Sequence, residues 1–309
     1  MINEKELQLS SKSFTNKDFA SIYTEILDLT KISPKWNPAA SNESDPGVVL
    51  LKLAAFVGDK LNYNIDKNTL ENFMLSATQE SSMWKLCAMN GYNMKYYVSA
   101  TTNVYFTYAG EFEGSIVIPK YSIISTEDET LKFVTLSDAT ISERGEATQT
   151  PTLVIEGTLK DLTINDSTTI LLENLDDSNR IYFSDVAVAE NGVFVTNQGD
   201  SSIEWTRVYN LNSQLPGSTI FVFGYDSTSK LPYIQFPEDV ANLMGEGLNI
   251  KYVVSSGVDG NVNAKALTNL VSQLSDESLD KSNLVITNPN ATINGANPET
   301  IDEAYNNSK

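Results

Sequence analysis

The sequence predicts an α+β protein: an N-terminal helical domain, an antiparallel β-rich middle domain and a mixed α/β C-terminal segment. Three observations predict it. Apolar residues recur at helical spacing through the first hundred positions. From about Thr101 the pattern changes to alternation, repeated in short runs separated by turn residues. Past residue 258 both patterns return in short pieces. These breaks divide the chain into a helical head, 1–97, a β-rich domain, 98–258, and a mixed segment, 259–309.

The helices come first. Thr15 and Asp18 have capping-box spacing, with an acid in place of the usual Glu. Phe19, Ile22, Tyr23, Ile26 and Leu27 then share one face. Pro34 and Pro38 end that helix and place Trp36 in a loop. A second helix starts at Asp45-Pro46-Gly47. Asp45 can cap it, and Pro46 suits the first helical position, where its missing donor has no partner to lose. Leu50, Leu53, Ala54, Val57 and Leu61 are expected to be its buried stripe. Leu70, Phe73, Met74 and Ala77 mark a third helix. Met83, Trp84, Leu86, Cys87 and Ala88 mark a fourth, with Gly91 where a C-terminal cap would sit.

The strands follow. Val104, Phe106 and Tyr108 alternate with polar residues. Ile116–Pro119 and Leu131–Val134 read as two strands joined by the acidic turn around Glu127–Glu129. Further runs lie at 152–157, 168–173, 180–183, 192–197, 203–208, 219–223, 232–236 and 248–254, spaced as in an antiparallel sandwich or barrel. In the last segment, Val262, Ala266, Leu267, Leu270 and Val271 predict a helix over 262–275. Leu284–Thr287 reads as a strand, and Asn297-Pro298-Glu299 as a helix start. That last helix is short enough to be marginal alone, so it is expected to dock on something or to continue beyond Lys309.

Composition narrows the chemistry. There is one cysteine, Cys87, and no histidine. That excludes an internal disulfide, histidine-based triads and most zinc sites. The net charge is −19, unevenly placed. Residues 1–100 hold 10 Lys+Arg against 11 Asp+Glu, a net of −1, which leaves −18 on the remainder. Such a surface repels phosphate backbones and anionic membranes, so nucleic-acid binding and membrane insertion are not expected. The first residues lack the apolar core of a secretory signal, and no run approaches a membrane span.

Catalytic motifs are equally sparse. Gly245-Glu246-Gly247 lacks the third glycine of a dinucleotide loop. Glu204 beside Trp205, and Asp226 beside Tyr225, are the acids that a glycosidase pair would draw on, against a plain reading as strand and turn polarity. Asp259-Gly260-Asn261 is too sparse for a calcium loop. Cys87 reads as a buried inert thiol, and Asn290-Ala291-Thr292 as a chance sequon. No enzymatic activity, cofactor or metal is therefore expected. A β-rich receptor- or carbohydrate-binding protein is the alternative, with Tyr225, Tyr233 and Trp205 as its candidate aromatic platform.

Three stretches taken together resemble the baseplate J-like family of phage tail and injection-system proteins. The first runs from Ser44-Asp45-Pro46-Gly47 through Asn62-Tyr63-Asn64-Ile65-Asp66 to Glu71-Asn72-Phe73. The second joins Ile234-Gln235-Phe236, Gly247–Tyr252 and Gly257-Val258-Asp259-Gly260-Asn261-Val262. The third joins Val285–Pro289 to Asn297-Pro298-Glu299-Thr300-Ile301. The resemblance implies a structural subunit of a baseplate wedge in the virion tail, assembled in the host cytoplasm. It also implies partners: other copies of the chain and other wedge and hub proteins. Two departures stand out. Pro237-Glu238-Asp239 replaces an expected glycine, and the segment that follows the Glu-Thr-Ile helix in the family is not present. Interface anchors are expected from the head's aromatics, Trp36, Tyr63, Phe73, Trp84, Tyr92, Tyr96 and Tyr97.

Overall fold

The computed structural model describes residues 15, 17–30, 45–142, 148, 150–211, 217–226, 229–274 and 279–309. The loop expected around Pro34, Trp36 and Pro38 lies outside the described residues. Two compact units emerge, Met1–Asn93 with Thr300–Lys309, and Met94–Glu299. The fold is α+β, with an N-terminal helical region and a β-rich remainder.

In the helical unit, α1 spans Phe19–Thr30. Its start is a reciprocal cap between Asp18 and Ser21: the Ser21 amide donates to the Asp18 carboxylate at 2.9 Å, and the Asp18 amide donates to the Ser21 hydroxyl at 3.0 Å. Thr15, expected to share that cap, instead donates its amide and hydroxyl to Asp66 at 3.0 and 3.2 Å. The second helix, α2, spans Pro46–Leu70, with Asp45 as N-cap and Pro46 in the first turn. α1 packs along α2. A side chain at Gly58 would lie 3.3 Å from Ile22 Cδ1.

Two expectations for this region are overturned. No helix covers 70–77: α2 ends at Leu70, and residues after it close a compact turn, tied by the Ser76 hydroxyl donating to the Leu70 carbonyl at 2.6 Å. The buried face of α2 is also not the expected one. Val48, Leu51 and Ala55 are buried, whereas Leu50, Leu53, Ala54, Val57 and Leu61 are exposed. Both faces of this stretch are apolar, so periodicity alone cannot choose between them. A third helix, α3, spans Glu80–Met89 and buries Met83 and Cys87.

In the β-rich unit, a six-stranded sheet collects β1 (Thr101–Tyr108), β3 (Ile123–Thr126), β4 (Lys132–Thr135), β6 (Thr152–Glu156), β16 (Leu267–Leu270) and β17 (Leu284–Thr287), in the order β16-β3-β4-β6-β1-β17. One core lies against it, built from Val104, Phe106, Tyr108, Ile124, Phe133 and Ile286 among others. A small ladder pairs β2 (Ile116–Ile118) with β5 (Ala139–Ile141). The acidic turn thus joins β3 to β4 rather than β2 to β4. β3 escaped sequence reading because three of its four residues are buried, two of them hydroxylic, which erases the alternation.

The other strands form two more sheets. β7 (Thr158–Asp161), β10 (Val188–Asn197), β11 (Asp200–Glu204) and β15 (Leu248–Val254) order as β11-β10-β15-β7, with β8 (Thr169–Ile170) also on β15. β9 (Arg180–Tyr182), β12 (Thr206–Val208), β13 (Ile220–Asp226) and β14 (Leu231–Gln235) order as β12-β13-β14-β9, where β12 and β13 run parallel. A second core serves both, with Phe183, Phe221, Ile234, Phe236, Leu248 and Tyr252 within it. A four-residue helix, α4 (Val240–Leu243), closes one end of this core through Val240.

The helix expected over 262–275 is absent among the residues described there; the chain enters β16 instead. Its amides are taken by side chains from elsewhere. Val262 N–H donates to the Thr292 hydroxyl at 2.7 Å, and Leu267 N–H to Asn288 Oδ1 at 3.1 Å. Lys265 between them has φ of 64°, which no α-helix accommodates. The sequence break drawn at 258/259 falls inside this unit, since β16 and β17 complete the sheet begun by β1.

One strand passes between the two cores. β6 runs into β7 through Gly157, whose φ of 125° is open only to glycine. A Cβ there would lie 2.5 Å from the Val254 carbonyl oxygen. Beside it, the Glu156 carboxylate is 1% exposed and accepts the Ser255 hydroxyl at 2.8 Å and the Ser256 amide at 3.1 Å. Glu156→Ala is expected to cost about 2–4 kcal/mol by chemical denaturation, since it leaves a void and an unpaired buried hydroxyl. Glu156→Gln, which keeps the volume and one acceptor oxygen, is expected to lose less than half of that. Equal losses for the two variants would show that these hydrogen bonds contribute nothing. Gly157→Ala is expected to be at least as damaging as Glu156→Ala, about 2 kcal/mol or more, through combined strain and collision.

Candidate functional site

No group of three or more Cys, Asp or Glu residues among the described residues is placed to hold a metal ion. The acids singled out in the sequence have ordinary partners. Glu204 is paired with Lys120 at 2.7 Å. Asp226 accepts the Ser229 hydroxyl at 2.8 Å in the turn between β13 and β14. Asp259 and Gly260 lie in a 3-10 turn, Gly257–Gly260. Cys87 is fully buried. The aromatic platform does not form. Trp205 is 5% exposed and donates its indole N–H to Asn197 at 2.6 Å. Tyr233 packs on Tyr182 and under Arg180, and Tyr225 stacks on Tyr96 at 4.7 Å. Tyr96, expected as an interface anchor, belongs to this packing: it is buried, and its hydroxyl donates to the Val186 carbonyl at 2.7 Å.

The motif residues of the head do local work. Asp45 accepts the Gly47 amide at 2.7 Å and so caps α2. Asn62 donates to the Lys17 carbonyl at 3.2 Å, and Asp66 holds Thr15, so these two residues bind the approach to α1 against α2. Asn72 donates back to the Asn68 carbonyl at 3.1 Å. Glu71 reaches the start of α3: it accepts Thr78 N–H at 3.0 Å, the Thr78 hydroxyl at 2.6 Å and Gln79 N–H at 3.1 Å. Burial pushes its carboxyl up, but the hydrogen bonds from Thr78, Ser82 and Gln79 outweigh that and hold it below the usual range. Tyr63 and Phe73 remain exposed.

The C-terminal motifs meet in space. A Cβ on Gly260 would strike the Glu156 carboxyl at 2.6 Å, so the Asp-Gly-Asn turn sits directly on that buried acid. Asn261 Nδ2 donates to the Gly295 carbonyl at 2.8 Å, and Gly295 N–H returns a bond to Asn261 Oδ1 at 3.2 Å. Asn297 accepts the Val258 amide at 3.2 Å. The second and third stretches of the resemblance are therefore one asparagine-tied assembly. Glu299 N–H donates to the Lys95 carbonyl and its carboxylate accepts Lys95 N–H, at 3.2 and 3.0 Å, joining both ends of the β-rich unit. Thr300 then caps the last helix, α5 (Ile301–Asn307), in a reciprocal box with Glu303. α5 packs on α3.

Among the described residues, the outer face of α2 carries a continuous run of exposed apolar side chains. Val49, Leu50, Leu53, Phe56, Val57 and Leu61 are each at least half exposed. At 100° per residue they cover roughly 140° of the helix, opposite Val48, Leu51 and Ala55. A helix apolar all round belongs in an interior. At roughly 100 Å² apiece these residues make a patch of about 600 Å², the upper end for a monomer and close to one side of a standard interface. Four of these six, Leu50, Leu53, Val57 and Leu61, are expected from the sequence to lie in the core, and Val49 and Phe56 are not singled out by it.

The chain is similar to part of a solved structure of the anti-feeding prophage baseplate, determined by cryo-electron microscopy with six-fold symmetrisation. The identity is 9% and the TM-score 0.29, over 99% of this chain and 57% of that one. The chain thus spans a little over half the length of that relative. No known protein family and no curated protein matches the sequence.

The capping contacts make two measurements decisive. Asp45→Ala is expected to destabilise the helical unit by about 0.5–2 kcal/mol. A loss within error of zero would show that the cap is not needed. For Glu71, the depressed carboxyl means that its stabilising contribution is present above the usual carboxylate value, about pH 4.3, and is lost as pH falls through the lower folded-state value. Wild-type protein should therefore lose helix stability on acidification below about pH 4.3, and Glu71→Gln should flatten that limb. An identical acid profile for the variant would rule Glu71 out as the titrating group.

Proposed function

We propose that the protein is a structural, non-catalytic subunit of a phage-type tail baseplate or a related contractile injection system, placed in its wedge. The exposed apolar face of α2 carries this reading. A surface of Val49, Leu50, Leu53, Phe56, Val57 and Leu61 needs a covering partner, and its i, i+3, i+7 spacing suits helices of neighbouring subunits. Two lysines, Lys60 and Lys67, continue that face, while the helix's acids, Asp59 and Asp66, lie toward the α1 side. The sequence resemblance to baseplate J-like proteins at Asp45–Gly47, Asn62–Asp66, Glu71–Phe73 and Glu299–Ile301 supports the same assignment. Other copies of the chain and other wedge and hub proteins are the partners this reading supplies, in the virion tail, with assembly in the host cytoplasm. No cofactor enters it.

The test is assembly. Leu53→Glu and Val57→Glu place a charge in the middle of the face without touching Val48, Leu51 or Ala55. Native mass spectrometry of the full chain with its co-expressed partners should show complexes weakened by about 30-fold or more, the roughly 2 kcal/mol of an interface hot spot. Helix content by circular dichroism should be unchanged. Full stoichiometry in both variants would overturn the reading. Pure protein is also expected to leave peptidoglycan and polysaccharide intact. A turnover abolished by one Asp or Glu substitution would refute the non-catalytic part.

A further inference from the structure

The face of the β11-β10-β15-β7 sheet turned away from Ile250 and Tyr252 packs Phe194 against the apolar seam of Val134, Ile155 and Val253, and beside that seam it carries two rows of mostly polar residues. In the first row Phe194, Lys251 and Asp161 lie side by side across β10, β15 and β7. In the second, Glu204, Thr196 and Asn249 lie across β11, β10 and β15. Lys120 and Tyr121, from the connection between β2 and β3, wall this face and close a cleft of about 500 Å³. That is within the usual size of small-molecule sites.

The cleft is built around Tyr121. Its ring packs on Phe194 at 5.6 Å, and the ammonium groups of Lys120 and Lys251 stand 5.1 and 5.8 Å from its centroid. Its backbone has φ of 69°, a left-handed conformation costly for an aromatic residue. The conformation is held by the Tyr121 amide donating to the Thr135 carbonyl at 2.8 Å and by the Ser122 amide donating to the Thr135 hydroxyl at 2.9 Å. Strain of this kind concentrates at ligand-holding positions.

The charges are balanced. Lys120 pairs with Glu204 and Lys251 with Asp161. Burial lowers the Lys120 ammonium, but the bond to Glu204 and the neighbouring Tyr121 raise it above the usual lysine value, so it stays charged. An anion would have to displace an acid already seated on each lysine, against the field of a strongly acidic domain. A cation would have to displace the lysines. A neutral polyhydroxylated ligand needs neither, because each hydroxyl both donates and accepts. It can donate to Asp161 and Glu204 and accept from Lys120 and Lys251. We propose that this cleft binds a neutral saccharide, one to a few sugar units long. The inference stands apart from the assembly reading.

The full chain would be titrated by isothermal calorimetry with neutral tetrasaccharides of glucose (α- and β-linked), mannose and N-acetylglucosamine, and with tetragalacturonate as the anionic probe. At least one neutral probe is expected to bind, with affinity at least 10-fold weaker in Tyr121→Gly and in Asp161→Asn. Tyr121→Gly removes the ring that walls the cleft, and circular dichroism reports whether that variant is folded. Asp161→Asn changes one exposed acceptor and gives an independent reading should the first variant misfold. Binding of none of the neutral probes, binding of tetragalacturonate alone, or wild-type affinity in Asp161→Asn together with a folded Tyr121→Gly would each overturn the proposal.

Discussion

The Glu156 carboxylate lies inside the β-rich unit, and much of that unit's connectivity is arranged around it. β6 ends on this residue as part of the six-stranded sheet. The next residue, Gly157, turns the same strand into β7, which pairs with β15 in the other sheet. The Ser255 hydroxyl and Ser256 amide that bind Glu156 immediately follow β15. One acid therefore joins the exits of two strands from two different sheets. A buried carboxylate is costly unless its lone pairs are satisfied, so the loop that satisfies it is not free to drift. Between the sheets, Val134, Ile155 and Val253 form a small apolar seam that excludes water from this junction.

From that junction the constraint spreads outward through asparagines. Gly260 has no room for a side chain because Glu156 occupies the space, which positions Asn261 to bridge to Gly295. Asn288, fully buried, accepts the Leu267 amide and donates to the Asn263 and Asn290 carbonyls at 3.0 and 2.9 Å. These side chains do what a regular ladder would do elsewhere. They pair backbone groups in a stretch with little regular structure, and so let irregular chain pack without orphaned donors.

The helical unit is governed by the opposite condition. The first half of its longest helix has apolar side chains on nearly every side, and among the described residues α1 packs along one of them. Glu71, Asp45 and Asp66 fix where the helices start and how α1 is tethered, but none contributes area. Leaving an apolar face in water costs free energy, and a partner that covers the face relieves that cost. That is why the exposed apolar residues, rather than the hydrogen-bonded motif residues, carry the functional reading. In the β-rich unit the cleft beside Tyr121 is instead lined mostly by polar, charge-paired side chains.

Sequence alone determined what local chemistry controls. The starts of α2 and α5 are written in Asp45-Pro46 and in Thr300 with Glu303, because a cap involves residues a few positions apart. β1, β14 and β15 are legible in their alternation, because one face of each meets a core. Tertiary structure decided the rest. Which apolar face of α2 is buried depends on where α1 docks, and both faces look alike in period. Residues 262–271 have helical spacing yet form loop and strand, because Asn288 and Thr292, distant in sequence, capture their amides. The left-handed Tyr121 carries no sequence signal at all. Its cleft gathers residues from 120 to 251, and only the pairing of β7, β10, β11 and β15 sets them side by side.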